Sequence, residues 1–373
     1  MDQREEMVLA LLSGRYTGDE VARRYETSRT NVYDWRTRYL KYGRSGLEDR
    51  SPVAQSCPHK TSPDIEAAVL RVRERYGWGP KKLRKVLQRE APGIVWPSPS
   101  TIGEILARNG VVRQRRERRK TSTPFRRKFE PEGSGELTTV DFKGQFKTLD
   151  GIYCYPLTMM DLTSRFLFAC EAVPSTAFEH AWPVYRRVFR EYGLPLAIQT
   201  DNGVPFINPN ALARISRLSV KLMKLGIQPV INDPGHPEQN GAHERMHRTL
   251  AADTARPPGA NRRGQQKKFD TFRRIYNGER PHEALGLEVP ASQFTPSTRL
   301  FPEKEPVIEY APHLEVRLVS AQGYIRFKTH KLFLGEALRA ERVALEPVDD
   351  GIWALQLATF ELARLDERSG ELV

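Results

Sequence analysis

The chain has 373 residues, 39% of them hydrophobic and 28% charged, with a formal net charge of +13. That length allows two or more domains with separate cores, and no apolar run is long enough to span a bilayer. Three cysteines, Cys57, Cys154 and Cys170, lack metal-ligand spacing; such a sparse, odd set fits a reducing cytosol and argues against a disulfide framework.

The opening stretch "MDQREEMVLALLSGRY" places acids before a short apolar patch, without the basic start and cleavage site of a secretory signal. Charge is unevenly spread. Residues 1–128 carry 29 Lys and Arg against 15 Asp and Glu, a net of +14, and the rest of the chain sums to −1. Excess positive charge confined to one third suggests a nucleic-acid-binding arm on a neutral body.

Residues 6–43 read as short helices. "GDEVARRY" puts Val21, Ala22 and Tyr25 on one face, and Ser28 is a suitable N-cap for the next helix. There Val32, Trp35 and Tyr39 fall inward and Gly43 suits the C-cap. Arg29, Thr30, Asn31, Tyr33 and Arg36 face outward near its start. This is the pattern of a helix-turn-helix, whose second helix offers polar side chains to base edges; a plain helical hairpin has the same periodicity, and the polar face and local charge favour DNA. The stretch 43–63 is a Gly-, Ser- and Pro-rich linker.

A second three-helix unit follows over 62–112, with "SPST" opening its last helix. Residues 112–128 hold nine Lys and Arg against one Glu, a block suited to tracking phosphates through Arg115, Arg116, Arg118 and Arg119. From Leu137 the texture changes. Three β-rich runs precede a helix, a strand, a helix, a strand and further helices, which predicts a mixed α/β sheet. Residues 305–373 are β again, a small barrel or sandwich with a hairpin at Asp349-Asp350-Gly351.

Residues 243–247, "HERMH", match the zinc-protease pattern H-E-x-x-H. A zinc site needs a third ligand, for which Asp253 is available; Gly241 and Arg248 are unfavourable neighbours for it. A different reading groups three acids. Asp141 lies in the first strand, Asp201 follows the apolar strand "LAIQT", and Glu244 begins a helix after a loop. Acids so placed can converge on one sheet edge, and convergent carboxylates suit a pair of Mg²⁺ ions and phosphoryl displacement. Asp161 is a rival acid that fits a structural turn better. His236 and His282 lie in nearby loops, and His282 is expected to pack or hydrogen-bond locally.

"LTTVDFKGQF", "TDNGVPF" and "PGHPEQNGAHERMHRTL" together resemble the three motifs of the retroviral-integrase-like DDE transposases of bacterial insertion sequences. "YNGERPHEALG" and the "GLEDRS" linker between helical units extend the likeness over nearly the whole chain, most strongly over 137–295. The resemblance implies five segments: a helix-turn-helix domain over 1–50, a second over 62–112, a basic linker over 113–136, an RNase H-like catalytic core over 137–297 and a small all-β barrel over 305–373. It implies that Asp141, Asp201 and Glu244 bind two Mg²⁺ ions, with Mn²⁺ able to substitute. Asn240, in the loop before the glutamate, and His247 and Arg248, one turn beyond it, are implied DNA contacts. The implied activity is cleavage at the terminal inverted repeats of a mobile element and joining of its 3′-hydroxyls to target DNA. The implied partners are double-stranded DNA and further copies of the chain, at least a dimer, with an accessory ATPase left open and no membrane. The implied place is the bacterial cytoplasm, at the nucleoid. A DNA-binding regulator with an inactive core is the alternative. The first motif lacks the tryptophan that often precedes its aspartate.

Overall fold

The computed structural model describes residues 2–49, 61–112, 128–208, 211–233 and 236–372. The chain divides into two compact units, Met1–Ser62 and Pro63–Val373.

The first unit contains α1 (Asp2–Leu12), α2 (Gly18–Arg24) and α3 (Arg29–Tyr42). Thr17 and Glu20 form a capping box that starts α2, and Ser28 caps α3 by accepting from the Asn31 amide. Met7, Val21, Ala22 and Val32 make its small core, with Trp35 half-buried beside them. Arg4 and Arg38 lie over the Trp35 ring, 4.3 and 4.1 Å from its centroid. Such contacts extend a core that aliphatic burial alone leaves thin. Gly18 lets the Tyr33 ring of α3 lie close: a Cβ there would sit 2.6 Å from that ring, which would have to move aside.

The second unit opens with α4 (Pro63–Tyr76), α5 (Pro80–Glu90) and α6 (Pro99–Arg108), the last capped by Ser98 with Pro99 in its first turn. Leu83, Ile102, Ile105 and Leu106 lead their shared core. Ile275 of the body packs against this core, and the Tyr76 hydroxyl donates to Glu279 at 2.9 Å. Lys85 pairs with Glu288 at 2.6 Å, and Arg89 donates to the Glu279 carbonyl.

The body is a mixed sheet. Strand β1 (Leu137–Phe142) pairs antiparallel with β3 (Tyr153–Asp161), which also pairs antiparallel with the short β2 (Phe146–Lys147) and with β4 (Leu167–Val173). On its other edge β1 pairs parallel with β5 (Ala197–Thr200), and β5 with β6 (Gln228–Ile231). Apolar side chains on one sheet face bury against α7 (Phe178–Tyr192) and α8 (Arg217–Lys224). The other face meets α9 (Gly241–Thr254) and α10 (Arg262–Gly278) through Met160, Leu167, Met246, Leu250 and Phe269. Helices on both faces leave β5, between its two parallel neighbours, buried along its whole length. Arg299 straps the following segment down, donating to the carbonyls of Pro195, Leu225 and Gly226.

The C-terminal part corrects one expectation. Its strands are β7 (Glu315–Leu318), β8 (Tyr324–Phe327), β9 (His330–Phe333), β10 (Arg342–Asp349), β11 (Ile352–Leu357) and β12 (Phe360–Asp366). They form an open four-stranded antiparallel sheet, in the order β12–β11–β10–β7, and a separate β8–β9 hairpin, not a closed barrel. Ile215, Val220 and Met223 of the body complete their core, so a surface that a barrel would seal on itself is closed by α8 and the segment before it.

Candidate active site

The register of β1 and β5 places two of the three acids. Val140 is paired with Thr200 in a parallel ladder, so Asp141 and Asp201 are the next residues on neighbouring strands. Adjacent strands lie about 4.8 Å apart, and the carboxyl ends of parallel strands are where α/β sheets place ligands. Asp141 is largely buried, with 14% of its side chain exposed. Its pKa is pushed up to about 7, first by burial and then by the charge of Asp201; Glu244 adds to the rise, and bonds from Phe142 and Asn240 oppose it. The Asn240 side-chain amide donates to Asp141 Oδ2 at 2.9 Å. The third acid, Glu244, lies in the first turn of α9, exposed, and its charge reaches Asp141.

The loop after β5 is shaped around Asp201. The Gly203 amide donates to Asp201 Oδ1 at 3.0 Å, and a Cβ at position 203 would lie 3.1 Å from that oxygen. Asn202 donates to the Asn232 carbonyl at 2.6 Å. Beneath it Gln199 Nε2 donates to Asn232 Oδ1 (2.7 Å) and to the Gln239 carbonyl (2.9 Å), while Gln239 exchanges bonds with Asp233. These buried amides tie the Asp201 loop to the loop before Glu244. Sequence reasoning missed Gln199, Asn232 and Gln239, because amides that pair 33 and 40 positions apart leave no local signal.

The two histidines of "HERMH" point inward. His243 is fully buried: Nδ1 lies 2.8 Å from Thr139 Oγ1 and Nε2 2.6 Å from Thr158 Oγ1. His247, 6% exposed, brings Nε2 to 2.7 Å from the same Thr158 oxygen. Burial lowers their pKa values to about 3 and about 2, with His243 and Lys143 adding to the effect at His247. Both ring nitrogens of His243 are taken up by hydroxyls, which disfavours the zinc-protease reading of the pentapeptide. His247 was expected to face DNA; the structure turns it into the interior, because it shares a helix face with Met246 and Leu250. Thr139 and Thr158 had no sequence signal either. They meet the histidines because Thr139 and Asp141 share one face of β1, and Thr158 is the cross-strand partner of Asp141.

The other expected contacts divide. Arg248 is exposed one turn beyond Glu244. Arg29, Thr30, Asn31 and Tyr33 are exposed and Arg36 is half-buried, all on α3 in the first unit. Arg29 also pairs with Asp19 at 3.4 Å, and Asn31 donates to Thr27. Arg115, Arg116, Arg118 and Arg119 lie outside the described residues. Asp161 is fully buried and accepts from the Gly135 and Ser164 amides and the Ser134 and Ser164 hydroxyls, a structural turn. The His282 ring packs edge-on against Tyr276, 4.6 Å between centroids, and His236 meets Glu238 at 2.7 Å.

Among the described residues, no three His, Cys, Asp or Glu side chains are drawn close enough to hold a metal ion as they stand. The donor chemistry nevertheless suits a hard dication. The set is all oxygen, and Asp141 carries an electrostatic penalty from Asp201 and Glu244 that a dication would relieve. No helix of the described residues is long and apolar enough to cross a membrane.

Family models match along the chain. A helix-turn-helix domain covers residues 3–52 and a homeodomain-like domain 31–106. Two integrase core domain models cover 131–237 and 225–290, and the C-terminal domain of IS481 family transposases covers 314–372. The chain is 26% identical over 193 residues to the Gag-Pol polyprotein of baboon endogenous virus (strain M7), a match that takes in 50% of this chain and 10% of that one. The chain thus spans about a tenth of the length of this curated relative. Similar solved structures include the HTLV-2 integrase catalytic core domain in complex with magnesium. That match has 11% identity, covers 44% of this chain and 100% of that one, and has a TM-score of 0.35. The simian T-cell lymphotropic virus intasome in complex with PP2A regulatory subunit B56 gamma matches with 14% identity over 78% and 97% of the two chains, at a TM-score of 0.38. Along its length the chain thus carries helix-turn-helix domains, an integrase core and a C-terminal domain of the IS481 transposase type, in that order.

Proposed function

We propose that the chain cuts the ends of a mobile element and joins their 3′-hydroxyls to target DNA, using Asp141, Asp201 and Glu244. The observation that carries this reading is the parallel register that sets Asp141 beside Asp201, with the Glu244 charge reaching the same carboxylate. The strand order β4–β3–β1–β5–β6, antiparallel as far as β1 and parallel beyond it, with the short β2 also on β3 and helices on both faces, supports an RNase H-like core. Two Mg²⁺ ions held by the three acids would activate the attacking oxygen and neutralise charge on the leaving oxygen. The chain's own groups set the geometry for that chemistry. Asn240 holds Asp141 by one oxygen, the Gly203 amide holds Asp201, and Arg248 stands exposed beside Glu244 to meet a phosphate. Cleavage and joining are both phosphodiester displacements, so one site serves both, with water as nucleophile first and the 3′-hydroxyl second.

The helix-turn-helix domains would read the terminal inverted repeats, with Arg29, Thr30, Asn31 and Tyr33 of α3 toward base edges. Pairing two ends requires at least two copies of the chain on DNA. The test is incubation of purified protein with labelled element ends and Mg²⁺, followed by mapping of cut and joined products. Asp141→Asn is expected to slow both steps roughly a thousandfold, about 4 kcal/mol of barrier, while end binding persists. Full strand transfer by Asp141→Asn would overturn the reading.

A further inference from the structure

Thr158 sits where two parts of the proposed site meet. Its hydroxyl donates to the Asp141 carbonyl at 2.9 Å, and His243 Nε2 and His247 Nε2 lie 2.6 and 2.7 Å from the same oxygen. Both histidines belong to α9, the helix that carries Glu244. One oxygen therefore links the backbone of the strand bearing the first acid to the helix bearing the third.

A hydroxyl has one proton and two acceptor sites. With its proton spent on the Asp141 carbonyl, Thr158 accepts from both rings, so His243 and His247 each carry their proton on Nε2. His243 Nδ1 then accepts from the Thr139 hydroxyl at 2.8 Å, which completes its bonding. His247 Nδ1 is left with a lone pair directed to the Asp141 side, 3.8 Å from Oδ2. Every donor at the Thr158 oxygen is satisfied in a single arrangement, and satisfied buried polar networks fix one geometry.

We infer that Thr158 is a positioning residue, setting the spacing between Asp141 and Glu244 through the paired Nε2–H donors of His243 and His247. The inference rests on the proposed role of those acids. A methyl in place of the hydroxyl frees α9 to slide on the sheet while leaving the acids present. Groups that orient metal-binding side chains typically change rate by about ten- to a hundredfold when removed.

The experiment has two arms. In single-turnover cleavage of pre-bound element ends, Thr158→Val is expected to slow the chemical step about ten- to a hundredfold with end affinity unchanged, and Thr158→Ser to restore most of the rate. Wild-type speed in the valine variant, failure of serine to rescue, or a loss confined to DNA affinity would overturn the inference. The second arm reads the wild-type protein without DNA, so it stands even if the valine variant does not fold. Nitrogen-15 spectra of histidine-labelled protein should show both rings as the Nε2–H tautomer, and a proton on His247 Nδ1 would refute the arrangement. Absence of cleavage by wild-type protein would sink the proposed function alone, since the tautomers remain readable.

Discussion

Gly203 follows Asp201 by two positions, and its lack of a side chain has a local cause. A Cβ there would stand 3.1 and 3.3 Å from the two Asp201 oxygens, tighter than ordinary contact. Gly203→Ala should push the carboxylate a few tenths of an ångström and slow cleavage about tenfold, since small misplacements of reacting groups are costly. Thermal unfolding should change little, because the position is half-exposed; an alanine variant with the wild-type cleavage rate would show that the carboxylate has room to spare. At this scale the short motifs around the three acids were legible, and their neighbours have local work: Gly203 beside Asp201, Asn240 ahead of Glu244. The buried amides beneath them and the two threonines were not. Their roles arise from pairings across the sheet and between loops, and nothing adjacent in sequence marks them.

Helix α9 has two faces with opposite tasks. Glu244 and Arg248 are exposed, while His243, Met246, His247 and Leu250 are buried. Helical spacing alone groups His247 with Leu250, so its inward direction was available in the sequence; the likeness of motifs drew it outward. Burying neutral histidines has a pH consequence. The unfolded chain takes up their protons near pH 6.5, whereas the folded pKa values are about 3 and about 2. Their contribution to stability is therefore present above pH 6.5 and lost as pH falls toward 3. Asp141 runs the other way: with its folded value near 7, the folded state binds the proton more readily, so its contribution grows as pH falls from 7 toward 4. Two protons against one leaves net acid destabilisation from these three groups. Urea midpoints of the metal-free protein should drop between pH 6.5 and 4.5, and Asp141→Asn should steepen that drop; a shallower slope in the variant would contradict the balance. The sequence of strands and helices in the body, and its mixed sheet, followed from alternating β and α patterns. Closure of the C-terminal strands did not, because a period of two fixes which side chains face inward but not whether the last strand meets the first.

Across the whole molecule, the separation of charge was plain from residue counts, and a basic N-terminal third agrees with the helix-turn-helix domains matched there. The seating of α4–α6 on the body was not legible. Tyr76 meets Glu279 and Lys85 meets Glu288, each pair 203 positions apart. Glu279 is the busiest of these residues: it accepts from Tyr76, pairs with Arg274 and Arg75, and offers its carbonyl to Arg89. Glu279→Ala should loosen this seating by about 1–3 kcal/mol, as expected when a partly buried hydroxyl loses its charged acceptor. Hydrogen exchange would report it as faster exchange in α4–α6 with the sheet amides unchanged; equal exchange in both proteins would show that apolar packing alone holds the junction.

That junction turns the second unit into a ruler. If α6 reads bases in a groove, the span from those bases to Asp141 is set by the contacts of Tyr76, Lys85 and Arg89 with the body. The cut would then fall at a fixed number of base pairs from the sequence that α6 contacts, and shifting that sequence by one pair would carry the cut along with it.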